Sequence, residues 1–104
     1  MRERYKNLYL GKSIENKKRK ILRLLKREKG FPDLFLITEA SNGRDQLDIL
    51  EAGRFFMNPD REGRPKIIGA GLGRREAVAL VCRIAEEAFA AGYGGNLKAY
   101  LEER

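Results

Sequence analysis

The stretch "NLYLGKSIENKKRKILRLLKREKGFPDLFLITEA" (residues 7–40) sets a polar segment with helical periodicity between two apolar runs. The runs at 7–11 and 33–40 are short and rich in β-forming residues, so each predicts a strand. The segment between them predicts a helix over about residues 14–29, which Gly30 would end. A strand, a helix and a strand in this order predict a βαβ unit, in which the two strands are parallel.

The rest of the chain adds two strands and two helices to this unit. The expected elements are a turn at 41–45, a strand at 46–52, a loop at 58–65, a strand at 66–73, a helix at 74–91 and a short helix at 96–104 capped by Asn96. We therefore predict a single α/β domain over residues 1–104, with a mixed sheet of about four strands, two long amphipathic helices and a short C-terminal helix. The alternation within 46–52 favours an edge strand. The alternative fold is a two-layer α+β sandwich.

The positive charge of the chain is concentrated in its first thirty residues. The 104 residues, about the size of one domain, carry a net charge of +7. Residues 1–30 hold twelve Lys or Arg against three Glu, a net charge of +9, whereas residues 31–104 have a net charge of −2. One basic end on a near-neutral body predicts an acidic partner.

The composition disfavours a membrane, secreted or catalytic role. No apolar run approaches the roughly 20 residues that cross a bilayer, and residues 1–13 lack the apolar core of a signal peptide. The single cysteine, Cys82, cannot form an internal disulfide, which favours a cytoplasmic protein. The chain has no histidine, the commonest general base and metal ligand. We therefore expect no catalytic residues, no metal, no cofactor and no membrane partner, and we favour a protein that is not an enzyme.

The predicted first helix has one aliphatic and one cationic side. Ser13 is its candidate N-cap, and its aliphatic side would pack on the sheet through Ile14, Ile21, Leu22, Leu24 and Leu25. The opposite side holds five cations within about 12 Å of helix: Arg19, Lys20, Arg23, Lys26 and Arg27.

Two interpretations of these cations remain open. They form either a solvated surface or a stripe that contacts the phosphates of a nucleic acid. Like charges four residues apart, as at Arg19 and Arg23, destabilise an isolated helix, which favours a functional role. No aromatic residue is interleaved with the cations, so base stacking is not predicted.

The helix at 74–91 has a broad apolar arc and a mixed, mildly acidic outer side. The arc spans about 200° and contains Ala77, Val78, Leu80, Val81, Cys82, Ile84, Ala85, Ala88 and Phe89. We expect this arc, including Cys82, to be buried. The contrast shows that the chain can form a mixed-charge helix surface, and that its first helix does not.

The stretch "GAGLGRRE" (69–76) suggests an anion-binding loop, because glycines between a strand and a helix expose backbone N–H groups. The candidate residues are Gly71, Gly73, Arg74 and Arg75. The spacing matches neither the dinucleotide fingerprint nor the Walker motif. The alternative is that the glycines allow a tight turn and close packing of the helix on the sheet.

The stretch "GRFFM" (53–57) places Phe55, Phe56 and Met57 before a polar loop. Adjacent apolar residues cannot all face one core, so exposed members would mark a contact surface, most simply with a second copy of the chain. The alternative is that a turn tucks them under the sheet.

Three stretches resemble a group of short, uncharacterised bacterial proteins of about this length: "LYLGKSIENKKRKILRLLKR", "LFLITEASNGRDQLDILEA" and "IIGAGLGRREAVALV". Members of that group also have aromatic residues near a loop after the third strand, as in "RFFMNPD" here. The resemblance implies one α/β domain and no particular activity or functional residues.

Three functions follow in order of preference. The first is a non-enzymatic interaction or regulatory module that self-associates through 53–57. The second is a nucleic-acid-binding protein that uses the cations of the first helix. The third is a small domain that binds an anion or a phosphate ligand at 69–76.

Overall fold

The structure is a computed structural model that describes residues 4–40, 46–57 and 64–103. Within these residues, a four-stranded mixed sheet carries helices on both faces, which confirms the α/β prediction. The predicted turn at 41–45 and most of the loop at 58–65 lie outside the described residues. The elements in chain order are β1 (Arg4–Leu10), α1 (Lys12–Glu15), α2 (Lys18–Lys26), β2 (Leu34–Glu39), β3 (Leu47–Glu51), α3 (Ala52–Met57), β4 (Ile67–Leu72), α4 (Arg74–Ala90) and α5 (Leu97–Glu103).

The strand order is β1-β4-β2-β3, in which β1 and β4 are parallel and the other two pairs are antiparallel. The predicted parallel relationship between the strands on either side of the first helical segment is therefore wrong. Leu10 pairs with Ala70, and Leu34 pairs with Leu72, so the helical connection begins and ends at the same end of the sheet. β4 lies between β1 and β2, and β3 forms the predicted edge.

The predicted single helix over 14–29 is two helices, because the chain turns at residues 16–17 between α1 and α2. Gly11 is the N-cap of α1 and provides no side-chain hydrogen bond, so the prediction that Ser13 is the cap is wrong. With only nine residues, α2 is about 13 Å long. Two short helices can return the chain to the end of the sheet from which it came, whereas one long helix would carry it to the other end.

The end of α2 lies earlier than predicted and uses Glu28 instead of Gly30. Glu28 has a φ of 58°, the left-handed conformation that usually selects glycine. The Glu28 N–H donates to the Leu25 carbonyl at 3.0 Å, and the Lys29 N–H donates to the Leu24 carbonyl at 2.9 Å. These two bonds form a Schellman motif. Gly30 instead allows close approach to α3.

Two hydrophobic cores lie on opposite faces of the sheet. The core under α1, α2 and α3 contains Ile14, Ile21, Leu25, Leu34, Leu36, Ala52, Phe55, Ile67 and Ala70. The core under α4 and α5 contains Tyr9, Ile37, Ile68, Ala77, Leu80, Ile84 and Leu101. Leu36 and Ile37 are neighbours in β2 that point to different cores, as the period of two in a strand requires. The two-layer alternative is therefore not the observed fold.

The arc predicted to be buried on α4 is wider than the strip that the sheet and α5 cover. Ala77, Leu80, Ile84 and Ala88 are buried. Three residues of the predicted arc are exposed instead: Val78, Cys82 and Phe89. The prediction that Cys82 belongs to the core is therefore wrong.

Candidate nucleic-acid interface

Five cations lie on the outer side of α2 and form what we call the basic face: Arg19, Lys20, Arg23, Lys26 and Arg27. All five side chains are exposed, as predicted. The opposite side of α2 packs on the sheet through Ile21 and Leu25, which are fully buried. Burying two aliphatic side chains contributes about 3 to 6 kcal/mol, so the helix is held in one orientation with its cations outward.

The basic face has no internal counter-ion among residues 4–40, 46–57 and 64–103. Within the part of the chain that the structure describes, no carboxylate forms an ion pair with any of its five residues. Glu28 follows the helix, but its carboxylate pairs with Arg64. The Lys20 ammonium lies 5.0 Å from the centre of the Phe31 ring, a cation–π contact that orients the side chain without neutralising its charge.

The charge distribution of α2 is unfavourable for the isolated protein. Its first turn begins with Lys18, Arg19 and Lys20 and contains no acidic residue. Cations at a helix N-terminus oppose the helix dipole, and each costs about 0.3 to 1 kcal/mol. Arg23 adds like-charge repulsion with Arg19 and Arg27, which lie four residues away on either side. A polyanion bound along the helix would relieve both effects.

The predicted contact surface at 53–57 is largely covered. Phe55 is only 5% exposed and belongs to the core under α2, so it is not available for an intermolecular contact. Phe56 is half-buried, and the Arg64 guanidinium lies over both rings, 5.5 Å from the centre of Phe55 and 5.7 Å from that of Phe56. Met57 is 81% exposed and is the one member of the trio that remains outward.

Arg64 could not be singled out from the sequence, because no local pattern in the sequence indicates that it contacts Glu28 and Phe56. Its guanidinium donates to the Phe56 carbonyl at 3.0 Å and pairs with the Glu28 carboxylate. The side chain of Arg64 is 6% exposed. It therefore joins the end of α2 to α3 and keeps Glu28 away from the basic face.

Within the glycine segment 69–76, the chain itself occupies two of the backbone N–H groups that could have bound an anion. The Leu72 N–H donates to the Glu76 carboxylate at 3.0 Å, and the Gly73 N–H donates to the Asp33 carbonyl at 2.7 Å. Gly71 is buried, and a Cβ at this position would press against the backbone of α4. The close-packing interpretation therefore accounts for Gly71.

A cleft of about 630 Å³ opens where the parallel strands β1 and β4 end. Its charged lining includes Lys12, Arg75 and Arg83 together with Glu15 and Glu76. Of the four predicted anion-binding residues, only Arg75 lines this cleft; Gly71, Gly73 and the exposed Arg74 do not. Because the lining carries both signs of charge, the cleft does not select anions clearly, and anion binding stays a prediction that rests on Arg75.

Two carboxylates outside the basic face have strong internal hydrogen bonds. Burial raises the pKa of Glu76, but hydrogen bonds from the Leu72 N–H and from the hydroxyl and N–H of Ser13 outweigh it, so the pKa is lowered. The hydrogen bond from the Tyr9 hydroxyl lowers the pKa of Glu87, and burial only partly opposes it. Both carboxylates therefore accept hydrogen bonds that join separate parts of the fold.

Comparison of the chain with protein-family models, with curated proteins and with solved structures found no match. Among the described residues, no helix has both the length and the apolar character needed to cross a membrane. The function is therefore inferred from the surface of the chain itself, where the basic face groups five cations without an ion-pair partner among the described residues.

Proposed function

We propose that the protein is a non-enzymatic module that binds nucleic acid through the phosphate groups, using the basic face of α2. The observation that carries this proposal is that the five exposed cations have no counter-ion among the described residues. They lie on one helix, whose opposite side is buried against the sheet. Such cations gain free energy by releasing the counter-ions condensed on a polyanion. The proposal replaces self-association through 53–57 as the leading function, because Phe55 is buried.

The composition of the basic face favours binding that is independent of base sequence. The five residues are Lys and Arg alone, without the Asn or Gln that read adenine and without aromatic rings for stacking. A helix with its side chains is about 10 to 12 Å wide, close to the width of the major groove of DNA. We therefore expect α2 to lie along the backbone or the groove of a duplex and to contact phosphates on either side.

The experiment is a fluorescence-anisotropy titration of labelled duplex DNA, duplex RNA and single-stranded DNA of equal length at several salt concentrations. Five phosphate contacts predict a slope of about −4.5 for log K against log salt on duplex DNA. Raising the salt fourfold should then weaken binding by a factor on the order of 500. Unrelated duplexes of the same length should bind equally.

A matched pair of variants separates the basic face from net charge. Arg23→Glu with Arg27→Glu should abolish binding, whereas Arg74→Glu with Lys98→Glu, on the opposite side of the sheet, should retain most of it. Both double variants change the net charge from +7 to +3. Equal binding by the two variants, or no binding by the original protein at low salt, would overturn the proposal. Preference for an acidic peptide over every nucleic acid would favour a protein partner instead.

A further inference from the structure

An apolar stripe on α4 is exposed on the side of the sheet opposite the basic face. We call Val78, Cys82, Ala85 and Phe89 the outer stripe. Val78 is 45% exposed, and Phe89 is 75% exposed. Cys82 is exposed and Ala85 is half-buried. Large apolar side chains that project into solvent from a rigid helix mark a contact surface.

The spacing of the outer stripe is that of a helix–helix seam. Its residues follow one another at intervals of four, three and four, so they fall within about 60° around the helix axis. The stripe is about 16 Å long. Alternating intervals of three and four are the pattern by which two helices pack side chains into each other's gaps.

Two charges beside the outer stripe indicate what covers it. Arg75 and Glu86 lie on the same flank of the stripe, about 20° apart around the axis and near its opposite ends. Both are exposed, and within the described residues neither forms an ion pair, unlike the neighbouring pair Arg83 and Glu87. In an antiparallel pair of identical helices, equal flanks face each other. Arg75 of each copy then lies within one helical turn of Glu86 of the other.

We propose that two copies of the chain associate through an antiparallel contact between their α4 helices, with Cys82 near the twofold axis. Val78 then packs near Phe89 of the second copy, and two symmetric Arg75–Glu86 ion pairs close the contact. A parallel arrangement would instead bring Arg75 of each copy close to the exposed Arg74 of the other and would leave Glu86 without a cationic neighbour on the facing flank. The dimer leaves both basic faces exposed, because α2 lies on the other side of the sheet, so the inference does not depend on nucleic-acid binding.

The first test uses the single cysteine as a distance probe. A short bismaleimide should crosslink the original protein into dimers through Cys82 in the absence of nucleic acid. A variant with Cys82→Ser and Lys98→Cys, which moves the thiol to an exposed position on α5, should give at least tenfold less dimer. Equal crosslinking from the two positions would overturn the proposed geometry.

The second test is the mass of the protein by sedimentation equilibrium up to about 500 µM, a range suited to a small contact. Phe89→Lys should give a monomer over this range without loss of fold, since the side chain is mostly exposed. Arg75→Glu or Glu86→Arg alone should weaken the dimer about tenfold, and the two together should restore it. A protein that is monomeric throughout, or a double variant weaker than both single variants, would overturn the proposal.

Discussion

Gly11, the N-cap of α1, lies in close contact with Glu76 in the first turn of α4. The contact joins two helices that cover opposite faces of the sheet. The Glu76 carboxylate accepts hydrogen bonds from the Leu72 N–H at 3.0 Å and from the Ser13 N–H at 3.3 Å. A Cβ at Gly11 would overlap the carboxylate. Because Gly11 has a φ of −67°, any residue could adopt its backbone conformation, and only the contact with Glu76 requires glycine.

We expect Gly11→Ala to lower the free energy of unfolding by about 1 to 2 kcal/mol, because the displaced carboxylate leaves two backbone donors without their acceptor. Urea denaturation measures the loss. Glu76→Ala should cost a similar amount, and the double variant should cost little more than either single one, since both remove the same interaction. Additive losses would show that the two residues act independently.

The lowered pKa values of Glu76 and Glu87 predict a loss of stability in acid. A carboxylate whose pKa in the folded protein lies below its ordinary value of 4.5 stabilises the fold above that value. The stabilisation disappears as the pH falls through the lowered folded value. We expect the free energy of unfolding in urea titrations to fall as the pH drops below the ordinary carboxylate value of 4.5.

Glutamine at both positions tests this assignment. Glu76→Gln with Glu87→Gln should flatten the acid limb, because neither side chain then takes up a proton on unfolding. The control is Glu51→Gln with Glu102→Gln, two exposed carboxylates without these hydrogen bonds, and it should retain the original slope. Equal slopes in the two double variants would contradict the assignment.

Glu28 combines a strained backbone with a partly buried ion pair, and substitutions can separate the two. Glu28→Ala removes one carboxylate that pairs with the Arg64 guanidinium, whose side chain is 6% exposed, and should cost about 1 to 3 kcal/mol. Glu28→Gly removes the same partner but adopts the left-handed conformation freely, so it should be about 1 kcal/mol more stable than Glu28→Ala. Equal stability of the two variants in urea denaturation would exclude a backbone contribution.

The sequence predicted the elements whose signals are local. Gly92 ends α4 in a left-handed turn with a φ of 91°, and the Asn96 carboxamide accepts the Ala99 N–H at 3.2 Å at the start of α5, as expected. The helical periodicity of residues 14–29 predicted correctly that Ile21 and Leu25 are buried. In each case residues within one helical turn of one another determine the outcome.

The predictions that failed depend on residues far apart in the chain. Gly30 was expected to end the first helix, but it lies where a Cβ would be 2.9 Å from the Gly53 Cα. Glu28 ends that helix instead, and its carboxylate pairs with Arg64, thirty-six residues later. Insertion of β4 between β1 and β2 is likewise a long-range pairing that no local signal in 7–40 specifies. The charge of the basic face needed no such pairing, and it could therefore be predicted.

The basic face should lower the stability of the protein while enabling it to bind nucleic acid. Arg19 lies in the first turn of α2, where a carboxylate would interact favourably with the helix dipole and with Arg23. We expect Arg19→Glu to raise the free energy of unfolding by about 0.5 to 1.5 kcal/mol, measured in urea, and to weaken binding of duplex DNA at least tenfold. Arg74→Glu, in the first turn of α4, is the matched control: it should also stabilise the protein but leave DNA binding nearly unchanged. If Arg19→Glu stabilised the protein without weakening DNA binding, the cation would have no role in recognition, and the basic face would be a solvated surface.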